Sequence, residues 1–139
     1  MKITSEWVSG RCFAATNESG HSILSDGAAA GEGKRAPSPM ELLLMGIAGC
    51  SGIDVVEILQ KQRQDIRACT AAVSAERADS VPKVFTKIHI HFKVAGAGIK
   101  AEAVERAVKL SAEKYCSASI MLGKAAEISH SFEVEDTAA

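Results

Sequence analysis

The sequence has no excess of charge of one sign and no hydrophobic run of membrane-spanning length. Lys and Arg together number 16 and Asp and Glu number 17, so the formal net charge at pH 7 is −1. Nucleic-acid binders normally carry a concentrated basic face, and this balance argues against that class. The longest apolar stretch, 42–53, has 12 residues, whereas a membrane span needs roughly 20. It therefore predicts a buried helix.

An apolar targeting segment and closely spaced cysteines are also missing. The N-terminal residues MKITSE contain no apolar core of a secretory signal, which predicts a cytoplasmic protein. In a reducing cytosol, structural disulfides are not expected among the four cysteines, which are Cys12, Cys50, Cys69 and Cys116. Without a C-x-x-C or a nearby Cys/His pair, a zinc ribbon or finger is disfavoured. The thiols are then either small buried hydrophobic groups or a reactive pair that the fold brings together.

The common catalytic motifs are absent as well. The sequence contains no G-x-S-x-G, no Ser-His-Asp order and no complete phosphate loop. His89 and His91 share one face of a predicted strand, and two such imidazoles can hold a zinc ion. No third ligand is evident nearby and lysines flank the pair, so a solvated strand face is favoured over a metal site. His21 and His130 are interpreted as incidental.

The composition fits one soluble globular domain spanning residues 1–139. The chain is 47% hydrophobic and 24% charged, with only 4% aromatic residues. Short strands are predicted at 2–9, 12–16 and 21–25, separated by glycine-containing turns. Residues 27–36 (GAAAGEGKRA) lack apolar periodicity and predict a flexible loop.

A strong helix signal follows this loop. Ser38 suits the N-cap, Pro39 suits the first helical position, and Glu41 lies three residues after the serine, which is the pattern of a capping box. Residues 42–59 are apolar almost all round, which is typical of a core helix. Glycines at 46, 49 and 52 surround Cys50 and suggest either a close approach of another backbone or a break in the helix.

The second half of the sequence predicts two strands, a helix and a final strand. Strands are expected at 66–76 and 84–94, a helix at 101–115, a further helical turn at 118–124 and a strand at 127–135. In 84–94 the apolar residues alternate with polar ones, which predicts a half-solvated antiparallel strand whose Thr86 and Ile88 share the apolar face. The order of elements predicts an α+β domain.

Two motifs resemble signatures of the OsmC/Ohr family. The first is SPMELLLMGIAGCSGIDVV, from Ser38 through Cys50 to Val56, which resembles the central helix of that family. The second is EKYCSAS around Cys116, which resembles its cysteine motif after the last long helix. The separation of the two cysteines and the strand order are also similar, and the resemblance covers essentially the whole chain. The run 52–65 is most similar to the YhfA-like branch.

The resemblance implies a fold and an activity. The implied fold is an antiparallel sheet packed around a central apolar helix, in an intertwined homodimer. The implied activity is reduction of hydroperoxides: Cys50 attacks the peroxide and becomes a sulfenic acid, Cys116 captures it as a disulfide, and an external dithiol, of lipoyl type for example, regenerates both. Such chemistry requires a thiolate nucleophile and needs no metal, flavin or haem.

The remaining site residues are less sharply defined. The family's peroxidases carry a glutamate ten residues before the first cysteine, where this chain has Met40, and Glu41 follows one residue later. Glu41 is therefore either a catalytic residue or only part of the capping box. For the cation that activates Cys50, Arg35 is the preferred candidate, and the others are Lys34 and Arg11.

Two further expectations concern assembly and an alternative function. The helix at 42–59 is apolar on nearly every side, so its uncovered face is expected to meet a second copy of the chain, which would let Arg35 reach Cys50 of that copy. The alternative to a peroxidase is a non-catalytic protein that binds a small apolar or electrophilic ligand at the same site. Cys12 and Cys69 match neither motif and are expected to be packing residues.

Overall fold

The computed structural model describes residues 1–137, which divide into two compact units with a boundary after Leu44. The first unit contains a three-stranded antiparallel sheet of β1 (Ile3–Ser9), β2 (Cys12–Asn17) and β3 (Ser22–Asp26). The predicted loop at 27–36 contains no helix or strand. The three strands and the loop are thus confirmed, with strand ends within one residue of those predicted.

The second unit contains most of the helices and a second sheet. After α1 (Pro39–Lys61), in which the boundary falls, come β4 (Asp65–Arg77), β5 (Phe85–Ala97), α2 (Ala101–Leu110), α3 (Ser117–Leu122) and β6 (Glu127–Asp136). The strand order is β4-β5-β6. Alternate residues of β5 form the centre of the core with one face of α2; they are Ile88, Ile90, Phe92, Val94, Val104 and Ala107. The expected α+β class is confirmed.

The second sheet is mixed rather than wholly antiparallel. β5 pairs antiparallel with β4, but β6 runs parallel to β5, with Ile90 opposite His130. The prediction of an antiparallel sheet is wrong here. The reason is topological: the connection from β5 to β6 contains α2 and α3, and such a helical crossover returns the chain to the end of the sheet at which β5 began.

The alternation in β5 also differs from the prediction at its start. Phe85 is buried and Thr86 is exposed, although Ile88 and the alternate residues after it are buried as expected. The register with β4 shifts between Glu76 and Arg77: these adjacent residues pair with Lys87 and Phe85, so β5 has one extra residue, Thr86, at this point. Such an irregularity moves the residues before it to the opposite face of the sheet.

Most of the surface of α1 is not buried within the chain. The helix buries Ile47, Ser51, Val55 and Leu59 on one stripe, whereas Ile53 on the opposite side is 61% exposed. The helix is therefore a core element along one stripe only, and the uncovered face that the sequence predicts is present in the single chain. Neither expected explanation of the glycines at 46, 49 and 52 is found within the described chain: α1 is continuous, and no atom outside the neighbouring backbone lies within 4 Å of where a Cβ would stand at any of the three.

The length and composition of α1 would also allow it to cross a membrane. It has 23 residues and a mean hydropathy of 1.9 over its most apolar window. The central helix of a soluble protein meets the same two criteria, so this is weak evidence for a span. The cytoplasmic location stays a prediction.

Candidate active site

The structure brings together the two cysteines that the sequence motifs single out. Cys50 lies on α1 and is half-buried, whereas Cys116 is fully buried between α2 and α3. The two side chains are near enough that hydrogen bonding and charge at Cys50 raise the pKa of Cys116. Both cysteines are free thiols, as a reactive pair requires in its reduced form.

The surroundings of Cys116 act on its thiol in opposite directions. Burial raises the pKa of Cys116 most strongly, because a thiolate loses solvation away from water. The hydroxyl and the backbone N–H of Ser119 lower this pKa, and the N–H donates a hydrogen bond to the Cys116 sulfur over 3.3 Å. Cys50 raises it further. The net shift is upward, so Cys116 is mainly protonated at neutral pH.

A wide helical turn positions Cys116. Instead of one helix to Tyr115, as the sequence predicts, α2 ends at Leu110 and a π turn follows over Ser111–Tyr115. The turn closes with the N–H of Cys116 donating to the carbonyl oxygen of Ser111 over 2.8 Å. Cys116 itself is extended, with φ −77° and ψ 97°, and caps α3. Single π turns occur frequently at functional sites.

A hydrogen bond between two buried or half-buried side chains ties this turn to α1. The hydroxyl of Ser111, which is 1% exposed, donates to Oδ2 of Asp54 over 3.0 Å. Asp54 follows Cys50 by four residues, about one helical turn, so it lies on the same side of α1 as the cysteine. This bond therefore holds the segment before Cys116 beside the part of α1 that carries Cys50. The motifs gave no sign of it, because the partners are 57 residues apart.

We expect the Ser111→Ala variant to lose both stability and the alignment of the cysteine pair. Removing the donor leaves the half-buried Asp54 carboxylate without this partner, which should lower the free energy of unfolding by about 1–3 kcal/mol. Disulfide formation between Cys50 and Cys116 should slow as well. Urea unfolding and timed thiol trapping measure the two effects. Ser117→Ala, which alters an exposed serine of α3, is the matched control, and an unchanged rate of disulfide formation in Ser111→Ala would contradict the positioning role.

The other two cysteines lie apart from these motifs. Cys12 is 1% exposed in β2, and Cys69 is half-buried in β4. Burial raises the pKa of Cys69, which reduces the fraction of reactive thiolate. This environment agrees with the expectation that Cys69 is a packing residue.

Arg35, the preferred cation candidate, is anchored within the first unit. Its guanidinium donates to the carbonyl oxygen of Ser9 over 3.0 Å and forms an ion pair with Asp26 at 3.6 Å. Asp26 is only 2% exposed, and backbone N–H groups of Ala28 and Arg35 together with the Arg35 charge hold its pKa below the usual range. Arg35 is thus ordered by a buried carboxylate despite lying in a loop. Its role in activating Cys50 stays a prediction.

Glu41 makes both hydrogen bonds of the predicted capping box. Its N–H donates to the Ser38 hydroxyl over 3.2 Å, and its carboxylate accepts from the Ser38 N–H over 3.0 Å. Lys34 pairs with the same carboxylate at 3.1 Å. The Ser38 bonds and then Lys34 lower the pKa of Glu41 to about 2. A carboxylate this acidic stays ionised at neutral pH, so any catalytic role of Glu41 would be as a fixed charge rather than as a proton donor.

The two histidines of β5 form a chain of hydrogen bonds with β6. His89 contacts the hydroxyls of Ser129 and Ser131, each over 2.7 Å, and His91 contacts Ser131 over 2.7 Å and Glu133 over 3.3 Å. Every ring nitrogen of the pair is therefore engaged. Within residues 1–137, no three His, Cys, Asp or Glu side chains are arranged to hold a metal ion.

Comparison with known proteins identifies relatives over nearly the full length of the chain. A family model described as "OsmC-like protein" matches residues 31–131. Protein YhfA of Escherichia coli is 52% identical over 134 residues, which cover 96% of this chain and 98% of that protein.

Solved structures share the fold. A hypothetical protein from Aquifex aeolicus superposes with a TM-score of 0.86 and 32% identity, over 96% of this chain and 95% of that one. The organic hydroperoxide resistance protein OhrB of Bacillus subtilis superposes with a TM-score of 0.65 and 21% identity, over 95% of this chain and 96% of its own. At that identity, the second match bears on the fold alone.

Proposed function

The chain belongs to the OsmC-like protein family, and from that membership we propose that it is a thiol-dependent hydroperoxide reductase with Cys50 and Cys116 as its redox pair. The observation that carries the proposal is the adjacency of a half-exposed and a fully buried thiol, one on each family motif. Organic hydroperoxides are the substrate class that the resemblance to the OsmC/Ohr family implies.

The reaction divides into three steps. The Cys50 thiolate attacks one oxygen of the hydroperoxide, the O–O bond breaks, and the alkoxide leaves and takes up a proton to become the alcohol. Cys116 then attacks the Cys50 sulfenic acid, so that the S–O bond breaks and water leaves as the disulfide forms. An external dithiol reduces the disulfide by two successive exchanges. The second step protects Cys50 from further oxidation.

The burial of the two thiols suits these separate roles. A peroxidatic cysteine must meet a substrate from solution, and Cys50 is the more exposed of the pair. A resolving cysteine has to contact only the peroxidatic cysteine, and Cys116 is buried beside Cys50. The proposal includes Arg35, which Asp26 holds, as the cation that favours the Cys50 thiolate of a second copy of the chain. It includes Glu41 as a fixed negative charge, paired with Lys34.

The direct test is peroxide consumption by the purified protein with a dithiol as electron donor. Without the dithiol, one equivalent of an organic hydroperoxide should remove two free thiols per chain. The alternative, a non-catalytic protein that binds an apolar or electrophilic ligand at this site, predicts that the thiol count stays unchanged. That result would overturn the peroxidase proposal.

We also propose a homodimer that covers the exposed face of α1. An apolar groove of about 470 Å³ runs between this face and β4, lined among others by Gly49, Gly52 and Ile53. In the first unit, large apolar side chains are also exposed: Ile3, Trp7, Val8, Phe13, Ile23 and Leu24. Such extensive apolar exposure is unusual for a soluble monomer, and a second copy of the chain supplies a surface of the same chemistry.

Light scattering at micromolar concentration should therefore give about twice the chain mass of 14.6 kDa. Ile53→Glu places a charge on the exposed face of α1 and should shift the protein toward the monomer. Val81→Glu is the matched control, because Val81 is 86% exposed in the segment between β4 and β5. A stable monomer of the unaltered chain that keeps full activity would refute the dimer.

A further inference from the structure

A cavity of about 520 Å³ lies against α3, next to the segment that carries Cys116. Its lining includes Ser119, Glu113 and Lys124 from the helical side and Glu127 and His130 from β6. Cys116 is not among the lining residues, but the N–H of Ser119 donates to its sulfur. Ser119 therefore links the buried thiol to this cavity.

Two buried polar atoms among the lining residues have no hydrogen-bond partner within residues 1–137. One is the hydroxyl oxygen of Ser119, a residue that is 4% exposed; this hydroxyl is near enough to the Cys116 sulfur to lower the pKa of its thiol but forms no hydrogen bond of good geometry. The other is Nε2 of His130. Buried polar groups are nearly always paired, and ordered water commonly serves as the partner. The cavity has ample room for several water molecules, since each occupies about 30 Å³ in the liquid.

The imidazole of His130 is held in a fixed place and in its neutral form. Its ring stacks on Phe92 of β5, with the centroids 6.4 Å apart and the planes at 3°. Burial, and then the nearby His89, lower the pKa of His130 below its ordinary value. The charged groups that line the cavity beside it are Glu113, Lys124 and Glu127. At neutral pH the ring is therefore uncharged and able to accept a proton.

We infer that this cavity carries the proton of Cys116, which passes by way of the Ser119 hydroxyl and water to Nε2 of His130. The inference rests on the proposed role of Cys116 as the attacking thiol. When the Cys116 sulfur bonds to that of Cys50, its proton moves to His130, and the electron pair of the broken bond leaves with the group that Cys50 carried. His130 then releases the proton through the cavity. When the disulfide is reduced, Cys116 regains a proton along the same path.

Such a relay matters because Cys116 is a poor nucleophile without it. Burial raises the pKa of its thiol, so only a small fraction is thiolate at neutral pH, and the thiolate is the attacking species. General-base assistance of this kind typically contributes about 10²- to 10⁴-fold to a rate. Ser119 contacts the sulfur, whereas His130 acts through Ser119 and water as a positioning residue for the proton.

The test measures the rate at which Cys116 attacks a mixed disulfide formed on Cys50, and it uses no peroxide. All proteins carry Cys69→Ala, so that Cys50 is the one thiol that is not fully buried. One equivalent of 5,5′-dithiobis(2-nitrobenzoate) forms a mixed disulfide on Cys50 and releases one coloured thiolate. Attack by Cys116 then releases the second, and stopped-flow absorbance gives its rate between pH 6 and 9. Peptide mass analysis confirms which cysteines are joined.

His130→Gln should slow the second release at pH 7 at least tenfold, whereas His21→Gln, a change to an exposed histidine of the first unit, should leave it unchanged. The unaltered chain should show a rate nearly independent of pH above 7. His130→Gln should show one that rises about tenfold per pH unit, as the thiol itself ionises. In His130→Ala, added imidazole should restore the rate.

An equal second-release rate and pH profile in His130→Gln and in His21→Gln would overturn the relay. A slower rate in His130→Ala that imidazole does not restore, with an unchanged pH profile, would also overturn it by assigning His130 a structural role only. Because the assay contains no peroxide, a failure of peroxide reduction and a failure of the relay give different results.

Discussion

The Cys50→Ser variant is expected to lose all peroxide reduction above the rate at which the dithiol alone consumes peroxide. A serine hydroxyl is not ionised at neutral pH and does not form the sulfenic acid that the cycle requires. The volume and the helical environment of the position change little, so the fold should persist. Peroxide consumption under a fixed concentration of dithiol measures the effect, and circular dichroism confirms that the helices remain.

Cys69→Ser is the control for this loss. Cys69 is half-buried, and burial raises the pKa of its thiol. Its replacement should therefore leave peroxide consumption within about twofold of the unaltered rate. If Cys50→Ser still turned over peroxide with a dithiol, or if Cys69→Ser were the inactive variant, the assignment of Cys50 as the peroxidatic residue would be wrong.

The Cys116→Ser variant should complete one turnover and then stop. Cys50 can still attack the peroxide, but no second thiol lies beside it to capture the sulfenic acid. The sulfenic acid then persists or oxidises further to the sulfinic acid, which ordinary dithiols do not reduce. Intact-protein mass spectrometry should show the addition of one oxygen and then two, whereas the unaltered chain should show the loss of two hydrogens.

A different result for Cys116→Ser would identify another resolving partner. Sustained turnover at the unaltered rate would mean that the external dithiol attacks the Cys50 sulfenic acid directly. In that case the buried position of Cys116 would be a packing feature, and the proton relay through His130 would have no role in the peroxidase cycle. The mixed-disulfide assay would still report separately whether Cys116 can attack Cys50.

Local patterns predicted most of the elements of this fold. The capping box at Ser38 and Glu41 is formed as expected, because it depends on residues three apart. The six strands lie within a few residues of their predicted positions. The parallel pairing of β6 was missed because periodicity within a strand carries no information about its direction. The uncovered face of α1 is expected from the sequence, but apolar residues on every side do not indicate which of them lie on that face.

Some residues of the candidate site can likewise be predicted from local sequence patterns, and others are revealed only by contacts in the folded chain. The two family motifs single out Cys50 and Cys116, whereas Asp54, Ser111 and Ser119 do not stand out in the sequence. Each of the three acts through one contact made in the folded chain. His130, interpreted as incidental from its strand position, faces a cavity with an unpaired nitrogen. A lone serine or histidine has no spacing rule that would reveal such a contact.

The measurement that tests the central claim most directly is peptide mapping of the disulfides formed with one equivalent of an organic hydroperoxide. The purified, reduced protein is treated without a reductant, alkylated and digested under acidic conditions, which slow thiol–disulfide exchange. A peptide pair joined through Cys50 and Cys116 is expected, with Cys12 and Cys69 recovered as alkylated thiols. A bridge between Cys12 and Cys69, or four alkylated thiols with the peroxide unconsumed, would contradict it.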